Sequence, residues 1–161
     1  MEIRKALLEE IPDVMKIYET ARCFMAEHNN PTQWVNGYPS EELVTEDCKN
    51  GELYVCVSDE RIAGVFMFTK KPDITYREIF QGKWLNEKPY GTMHRMASSG
   101  IEKGISAFCL DWCFQQCGNV RGDTHEDNYV MQNVFEKNGF KRCGIIYVAD
   151  KTPRIAYQRE N

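Results

Sequence analysis

Long apolar runs are missing from this chain of 161 residues. No stretch approaches the roughly 18 apolar residues that a membrane-spanning helix needs, so no membrane association is expected. The first residues, Met1-Glu2-Ile3-Arg4, contain no apolar signal region, which predicts a cytoplasmic protein. A basic excess is missing too, because 20 Lys and Arg oppose 24 Asp and Glu, giving a formal net charge of −4. This balance argues against nucleic acid as the main partner.

Metal-ligand spacing is also missing, although the chain has seven cysteines and three histidines. No CxxC-type pair occurs, and no histidine accompanies a cysteine pair. Cys109, Cys113 and Cys117 recur every four residues and therefore share one face of a predicted helix. Because a free cysteine behaves as a small hydrophobic residue, this spacing predicts reduced thiols in the core and no bound metal.

The composition that is present favours a packed core, with 42% apolar and 12% aromatic residues. No linker or repeat interrupts the sequence, so residues 1–161 are expected to form a single domain. Apolar periodicity and turn residues predict strands at 1–6, 52–58, 61–69, 90–97, 119–124, 141–149 and 154–159, and helices at 11–27, 41–50, 105–117 and 128–138. This order predicts an α/β mixed sheet with helices on both faces.

The stretch from residue 90 to residue 105 predicts an anion site. A strand runs through a loop of small residues into the start of a helix, where the first backbone N–H groups have no internal partner and the macrodipole is positive. Gly100 and Gly104 bracket the loop and allow the backbone to approach a ligand closely. We therefore expect a phosphate-bearing ligand here, lying where two neighbouring strands diverge.

Two motifs resemble those of the GNAT superfamily of acetyl-CoA-dependent N-acetyltransferases. Residues 128–140 read Asn-x-x-Met-x-x-Val-Phe-Glu-Lys-Asn-Gly-Phe, similar to the family's Asn-x-x-Ala-x-x-Leu-Tyr-Glu-Lys-x-Gly-Phe. Residues 101–106, Ile-Glu-Lys-Gly-Ile-Ser, fall on the family's pyrophosphate loop Gln/Arg-x-x-Gly-x-Gly/Ala and keep only its central glycine. The order of elements extends the resemblance over essentially the whole chain.

This resemblance implies a GNAT-like acyl-CoA N-acyltransferase fold, whose central sheet is mostly antiparallel with helices on both faces. It implies an enzyme that moves an acetyl group from acetyl-CoA, as co-substrate, to a primary amine by direct attack on the thioester. The amine would belong to a small molecule or a peptide. Closing strands of this family often build dimers, so a homodimer is a further expectation.

The resemblance also implies which residues hold the cofactor. The end of the strand at 90–97 would pair with the pantetheine arm, the loop amides would bind the pyrophosphate, and Asn128 would hydrogen bond the arm. The expected cofactor-binding residues are Met96, Ala97, Ser98, Ile101, Glu102, Lys103, Gly104, Ile105, Ser106, Asn128 and Phe135. Asn128 is equally suited to cap a helix, and both roles remain open.

Acetyl transfer to an amine needs a base for the amine proton, a donor for the oxyanion and an acid for the departing thiolate. In many relatives the acid is a tyrosine at the position of Phe135, which has no proton to give. Either the thiolate leaves unassisted, as its modest basicity permits, or Tyr147 or Tyr157 serves instead. Tyr129 lies on the same helix as Phe135 but on a different face, which makes it a weaker candidate.

Three residues are candidates for the base. Asp123 comes first, because it lies near the end of its strand, five residues before Asn128; the alternative is a solvated or helix-capping acid. His94 comes second, because strand alternation would place it on one face with Met96, where it could line the cleft. Its alternative is a structural strand histidine. His125 comes third, on a loop of unknown direction.

Aromatic side chains mark two turn-rich segments, residues 33–39 and 74–88. Trp34 and Tyr38 in the first segment, and Tyr76 and Trp84 in the second, are expected on the same side of the protein as substrate-binding residues. Aromatic residues that merely plug the core are the open alternative. For the whole chain, the second functional hypothesis is a catalytically weakened acyl-CoA sensor or partner-binding module, suggested by Phe135 and the altered loop.

Overall fold

Eleven helices and strands follow one another in the order that the sequence predicts, in a computed structural model that describes residues 1–161. The strands are β1 (Glu2–Lys5), β2 (Leu53–Ser58), β3 (Arg61–Thr69), β4 (Gly91–Ser98), β5 (Asn119–Thr124), β6 (Lys141–Tyr147) and β7 (Pro153–Glu160). The helices are α1 (Ile11–Glu27), α2 (Glu41–Lys49), α3 (Ile105–Cys117) and α4 (Tyr129–Lys137). Short 3₁₀ turns occupy Leu8–Glu10 and Ile74–Tyr76.

Local sequence signals explain where the helices begin and end. The Ser40 hydroxyl accepts a hydrogen bond from the Leu43 N–H at 3.2 Å and so caps α2. Helix α3 begins after Gly104, with φ of +81°, and no side chain caps its first turn. It ends at Gly118, whose φ of +67° is a left-handed conformation that glycine adopts without strain.

The seven strands form one sheet in the order β1-β2-β3-β4-β5-β7-β6. Every neighbouring pair is antiparallel except β4 and β5, which run parallel. These two strands pair only at Gly91 with Val120 and at Thr92 with Arg121. Beyond Thr92 they separate, and the sheet therefore has an open gap in its middle.

A β-bulge in β4 changes which way its side chains point. Two residues of β4 face Phe66 of β3, and Arg95 has a φ of +53°. Because the extra residue shifts the alternation, Met96 packs on the core beneath α3, whereas His94 lies beside Asp73 on the opposite face. The sequence prediction that His94 and Met96 share a face is therefore wrong.

Three apolar clusters pack against the sheet: a small one around Tyr76, Trp84 and Ile146, and two larger ones beneath the helices. The predicted arrangement of helices on both faces is therefore confirmed. The core on the α3 and α4 side contains Phe66, Phe68, Met93, Cys109, Leu110, Cys113 and Phe135. The core on the α1 and α2 side contains Val14, Tyr18, Val44, Val55, Val65 and Ala97. Cys109 and Cys113 are fully buried, as the predicted cysteine stripe requires, and Cys117 is half-buried. No helix combines the length and the apolar character that a membrane crossing requires.

Candidate functional site

The gap between β4 and β5 opens into a cavity of about 530 Å³. Residues from both faces of the sheet line it, because α1 and its following loop close one side and α3 and α4 close the other. The expected cofactor-binding residues in this lining are Met96, Ala97, Ser98, Ser106, Asn128 and Phe135. A cavity that passes between parting strands can hold an extended ligand with main-chain contacts along the free edge of β4.

The loop before α3 is shaped for close approach of an anion. Gly100 and Gly104 have φ of +82° and +81°, and a Cβ at either position would meet no atom within 4 Å. The first amides of α3 lack a side-chain cap, so they can donate to a ligand. The Ile105 side chain is 2% exposed and belongs to the core, so only its backbone is available to a cofactor.

The three side chains between the two glycines differ in what they can contribute. Ile101 is 51% exposed, and Glu102 and Lys103 are exposed as well. None of them lines the cavity. Their contribution to an anion site would therefore come from the backbone or, for Lys103, from a charge at the rim.

Asn128 already has partners for both ends of its side-chain amide. Its Oδ1 accepts from the Met131 N–H at 3.0 Å and caps α4, which confirms the helix-capping alternative. Its Nδ2 donates to Gln33 Oε1 at 2.9 Å, and Asn30 Nδ2 donates to the same oxygen. Hydrogen bonding to a cofactor would therefore exchange Gln33 for the ligand. The sequence reasoning missed Gln33, which lies 95 residues from Asn128.

Asp123 and His94 come together where the two strands part. Each lies two residues beyond the last paired position, and the His94 Nδ1 atom is 3.9 Å from Asp123 Oδ2. Their side chains are 24% exposed for His94 and 10% exposed for Asp123. Asp123 lines the cavity directly, whereas His94 lies beside it and outside the lining. Two of the three candidate bases are thus neighbours in space.

Two residues that the sequence reasoning did not assign to catalysis hold this pair. Asp73 Oδ2 lies 2.7 Å from His94 Nε2, and the Tyr76 hydroxyl donates to Asp123 Oδ2 at 2.5 Å. Asp73 also accepts from the backbone N–H and the hydroxyl of Thr75, at 2.8 and 2.7 Å. The four side chains of Asp73, His94, Asp123 and Tyr76 are called the polar row below.

Charge within the polar row is set by burial and hydrogen bonding. Burial alone would raise the pKa of Asp73, but hydrogen bonds from His94 and Thr75 outweigh it and hold the pKa at about 2. Burial, together with the nearby Asp123 charge, raises the pKa of Tyr76 well above its ordinary value. Asp73 is therefore a carboxylate and Tyr76 a protonated donor at neutral pH.

His125, the third candidate base, lies apart from the polar row. Its Nε2 atom is 3.2 Å from the Thr32 hydroxyl, and its Nδ1 atom accepts from the Asp127 N–H at 3.0 Å. The Nε2 contact thus ties the loop after β5 to the loop after α1, and the Nδ1 contact orders the loop after β5 itself. The arrangement is that of a histidine that links two loops.

The bulge in β4 is held by a group of polar contacts from α1 and α2. The Tyr18 hydroxyl donates to the Arg95 carbonyl at 2.8 Å. The Arg95 guanidinium makes two hydrogen bonds of 2.9 Å to Asp47 and a third of 3.1 Å to the Tyr38 hydroxyl. Tyr38 is therefore engaged with the bulge, and these contacts fix the strand geometry that opens the gap.

The remaining aromatic candidates fall in different surroundings. Trp34 lines the cavity and packs edge-on against Tyr18, with ring centroids 5.7 Å apart. Tyr76 is 1% exposed, so only its hydroxyl reaches the polar row. Trp84 is 6% exposed and its indole N–H donates to the Tyr76 carbonyl at 2.9 Å. Contrary to the expected substrate contact, Trp84 packs in the core, because its N–H has a protein partner there.

The tyrosines considered as proton donors to the departing thiolate lie outside the cavity lining, except for the weaker candidate, Tyr129. The Tyr157 hydroxyl donates to Glu136 at 2.9 Å, and burial raises the pKa of Tyr157 to about 12. Tyr147 packs against Phe80 at the surface. Tyr129, 66% exposed at the start of α4, is the one tyrosine in the lining. Tyr129 reaches the cavity because it is the first residue of α4, and not because of the helix face on which it lies.

Neither protein-family models nor curated protein sequences match this chain. Solved structures do. A GNAT-family acetyltransferase from Streptococcus agalactiae aligns with a TM-score of 0.91 and 30% identity, covering 99% of this chain and 95% of that one. A GNAT-family acetyltransferase from Listeria monocytogenes aligns with a TM-score of 0.73 and 16% identity, covering 99% of this chain and 94% of that one. The aminoglycoside acetyltransferase AAC(6')-Ib, in complex with ribostamycin and coenzyme A, aligns at 0.67 and 16%, covering 99% and 92%.

Proposed function

This chain belongs to the GNAT family of acetyltransferases, and on that premise we propose that it transfers the acetyl group of acetyl-CoA to a primary amine by direct attack. One observation carries the proposal. The parallel strands β4 and β5 part after two paired positions, and a cavity between them is bordered by the uncapped start of α3 and by Asp123. The arrangement suits a diphosphate and a reacting amine in the same cleft.

Acetyl-CoA would lie along the free edge of β4. Beyond Thr92 this edge has no strand partner on the β5 side, so its backbone can hydrogen bond the pantetheine arm near Met96 and Ala97. The first amides of α3 and the turn at Gly100 would hold the pyrophosphate. The related AAC(6')-Ib structure, which contains coenzyme A, supports this choice of co-substrate.

The amine would lie between Asp123 and His94. Two acceptor atoms 3.9 Å apart can both hydrogen bond one nitrogen at about 2.9 Å. The amine lone pair attacks the thioester carbon, the C–S bond breaks, and its electron pair leaves on sulfur. Because Phe135 has no hydroxyl and is 1% exposed, we propose that the thiolate leaves without a proton from that position.

The charge of the cavity favours a cationic amine. Its lining contains the carboxylates of Glu27, Asp123 and Asp127 and no lysine or arginine. An ammonium group would gain attraction from these carboxylates, whereas an anionic acceptor would be repelled. Either a small molecule or a peptide with an amino group fits this charge pattern. The GNAT family membership favours such an enzyme over an acyl-CoA sensor without chemistry.

Thiol release from acetyl-CoA across a panel of polyamines, aminoglycosides, amino acids and peptides tests the proposal. We expect turnover with at least one cationic amine. Asp123→Asn should lower kcat by roughly 10² to 10⁴-fold with the acetyl-CoA affinity nearly unchanged, while the exposed neighbour Glu126→Gln should leave both unchanged. No turnover by the wild-type protein, or wild-type turnover by the Asp123 variant, would count against the assignment.

The single domain, the homodimer and the cytoplasmic location remain predictions from the sequence. Light scattering on purified protein measures the mass in solution and so tests the homodimer directly. A mass near 18.8 kDa, the mass of one chain, would contradict the homodimer. A mass near twice that value would support it.

A further inference from the structure

The polar row joins four side chains from three parts of the chain in a fixed order: Asp73, His94, Asp123 and Tyr76. Resting on the proposed acetyl transfer, we propose that Asp73 is a positioning residue for His94. It fixes the imidazole with its hydrogen on Nε2 and leaves Nδ1 as the atom that accepts the proton of the amine. In the same arrangement, Tyr76 holds Asp123 as the anion that anchors the ammonium group.

The geometry around Asp73 makes it a rigid acceptor. Its Oδ1 accepts two hydrogen bonds from Thr75, and its backbone N–H donates to the Tyr90 hydroxyl at 2.9 Å. The second oxygen, Oδ2, is thereby aimed at His94 Nε2 at 2.7 Å. A carboxylate can only accept, so the hydrogen of a neutral imidazole must lie on Nε2. The Nδ1 lone pair is then free.

That lone pair makes no protein hydrogen bond, and it lies on the side of the imidazole that is near Asp123, a residue of the cavity lining. The 3.9 Å separation of His94 Nδ1 and Asp123 Oδ2 is too long for a hydrogen bond. Asp123 Oδ2 accepts one hydrogen bond, from the buried Tyr76 hydroxyl, and therefore keeps a second lone pair for the amine. One acceptor on Asp123 and one on His94 thus remain for the amine. Imidazole is the side chain suited to take up a proton near neutral pH, whereas carboxylates remain ionised there.

The proton balance of the transfer follows from this division of roles. The ammonium loses one proton to Nδ1, and the neutral amine then attacks the thioester carbon. The C–S bond breaks, the electron pair leaves on sulfur, and the second amine proton goes to the thiolate through water. The imidazolium, flanked by Asp73 and Asp123, finally releases the first proton to solvent. The products are the N-acetyl amine, the thiol and one proton.

Asp73 also caps the turn at residues 74–76, and this structural role does not depend on catalysis. Asp73→Asn separates the two roles, because its amide oxygen can still accept from Thr75. Its NH₂ group can face His94 Nε2 only as a donor, which moves the imidazole hydrogen to Nδ1. In a Ser-His-Asp protease the same exchange produces the wrong tautomer and lowers kcat about 10⁴-fold. Here we expect a loss of roughly 10²-fold or more.

The chain offers a matched control at Asp150. Its Oδ1 also accepts from the backbone N–H and the hydroxyl of a threonine two residues later, Thr152, at 3.0 and 2.5 Å. It lies in the turn between β6 and β7 and has no histidine partner among its hydrogen bonds. Asp150→Asn therefore repeats the change at an equivalent turn without touching the polar row.

The experiment combines ¹⁵N imidazole NMR on the whole protein, without ligands, with steady-state kinetics. The chain has three histidines, so His94→Gln assigns the His94 signals. We expect neutral wild-type His94 to carry its hydrogen on Nε2, and Asp73→Asn to move it to Nδ1. The same variant should lose kcat at least about 10²-fold and should keep the wild-type affinity for acetyl-CoA. Asp150→Asn should match wild type in all three measurements.

The pH profile of kcat adds a second readout. The ionisable groups that face His94 are Asp73, Asp123 and Tyr76, with the Asp47–Arg95 ion pair nearby. Because a general base must be unprotonated to accept the amine proton, we expect kcat of the wild-type protein to fall toward acidic pH. We expect this acidic limb to change in Asp73→Asn and to stay as in wild type in Asp150→Asn.

Three outcomes overturn the inference: wild-type His94 with its hydrogen on Nδ1, an Asp73→Asn protein with the wild-type tautomer, or one with wild-type kcat. The NMR spectra need neither cofactor nor amine, so they test the tautomer even if no amine is acetylated. Absence of turnover in the wild-type protein refutes the proposed function instead. The two failures are therefore distinguishable.

Discussion

Replacing Asp73 by asparagine should change the free energy of unfolding in a manner that depends on pH. The carboxylate accepts three side-chain or backbone hydrogen bonds in the folded chain, from His94 and from Thr75. Those hydrogen bonds overcome the cost of burial and hold the pKa of Asp73 at about 2, below the ordinary 3.8. Asparagine keeps the shape of the side chain and removes its charge.

The magnitude follows from the lowered pKa. One pKa unit corresponds to about 1.4 kcal/mol, so the full difference would be about 2.5 kcal/mol, and solvent screening of this partly exposed group reduces it to about 1–2 kcal/mol. A lowered folded-state pKa contributes stability that is complete above the unfolded-state value of 3.8 and is lost as the pH falls through about 2. Asp73→Asn should therefore be less stable than wild type at pH 7 and nearly equal to it near pH 2.

Urea denaturation of wild type and Asp73→Asn at several pH values between 7 and 2 measures this difference. Each titration gives the free energy of unfolding by linear extrapolation. The difference should stay constant down to about pH 4 and then decrease. A difference that is absent at pH 7, or that is the same at every pH, would refute the reasoning about the Asp73 carboxylate.

Two further substitutions test the geometry around the gap. Gly122→Ala would place a Cβ 2.8 Å from the Phe135 ring, so we expect urea denaturation to show a loss of about 1–3 kcal/mol in the free energy of unfolding. Adding Phe135→Leu to this variant should recover part of the loss. An unchanged stability of Gly122→Ala would show that the contact is not tight. Tyr18→Phe leaves the partly buried Arg95 carbonyl without its donor, so the variant should lose about 1–2 kcal/mol of stability and bind acetyl-CoA more weakly. An unchanged affinity of Tyr18→Phe for acetyl-CoA would show that this hydrogen bond to the bulge does not contribute to cofactor binding.

The sequence predicted the element order well because its signals are local. Ser40 and Asn128 are polar caps at helix starts, and Gly118 ends α3 in a left-handed conformation. Alternating and periodic apolar residues place the strands and helices between these signals. The bounds of β3, β5, α1 and α3 agree with the predicted residues, and the others differ by one or two residues at one end or at both.

The bulge in β4 could not be predicted in the same way. Arg95 adopts a positive φ although arginine carries no local preference for it, and the conformation depends on Asp47 and Tyr18 from distant helices. Strict alternation therefore assigned Met96 to the wrong face. A side chain held by tertiary contacts leaves no periodic signal in the sequence.

The candidate site was predicted in part. The sequence identified Asp123 and His94 from their strands, but not that they are neighbours, because the separation of β4 and β5 depends on the whole sheet. Asp73 lies 21 residues before His94 on an irregular connection, and Tyr76 lies 47 residues before Asp123. An aspartate followed two residues later by a threonine is typical of a turn, so Asp73 and Thr75 predict one, but this pattern does not indicate a histidine partner.

Calorimetric titration of the wild-type protein with CoA and with pantetheine tests the central claim most directly. Pantetheine keeps the thiol arm but lacks the diphosphate that the first amides of α3 are proposed to hold. We predict that CoA binds and that pantetheine binds at least about tenfold more weakly, a difference of about 1.4 kcal/mol or more. Equal affinities, or no binding of CoA at all, would contradict the claim that the start of α3 anchors a diphosphate beside the parted strands.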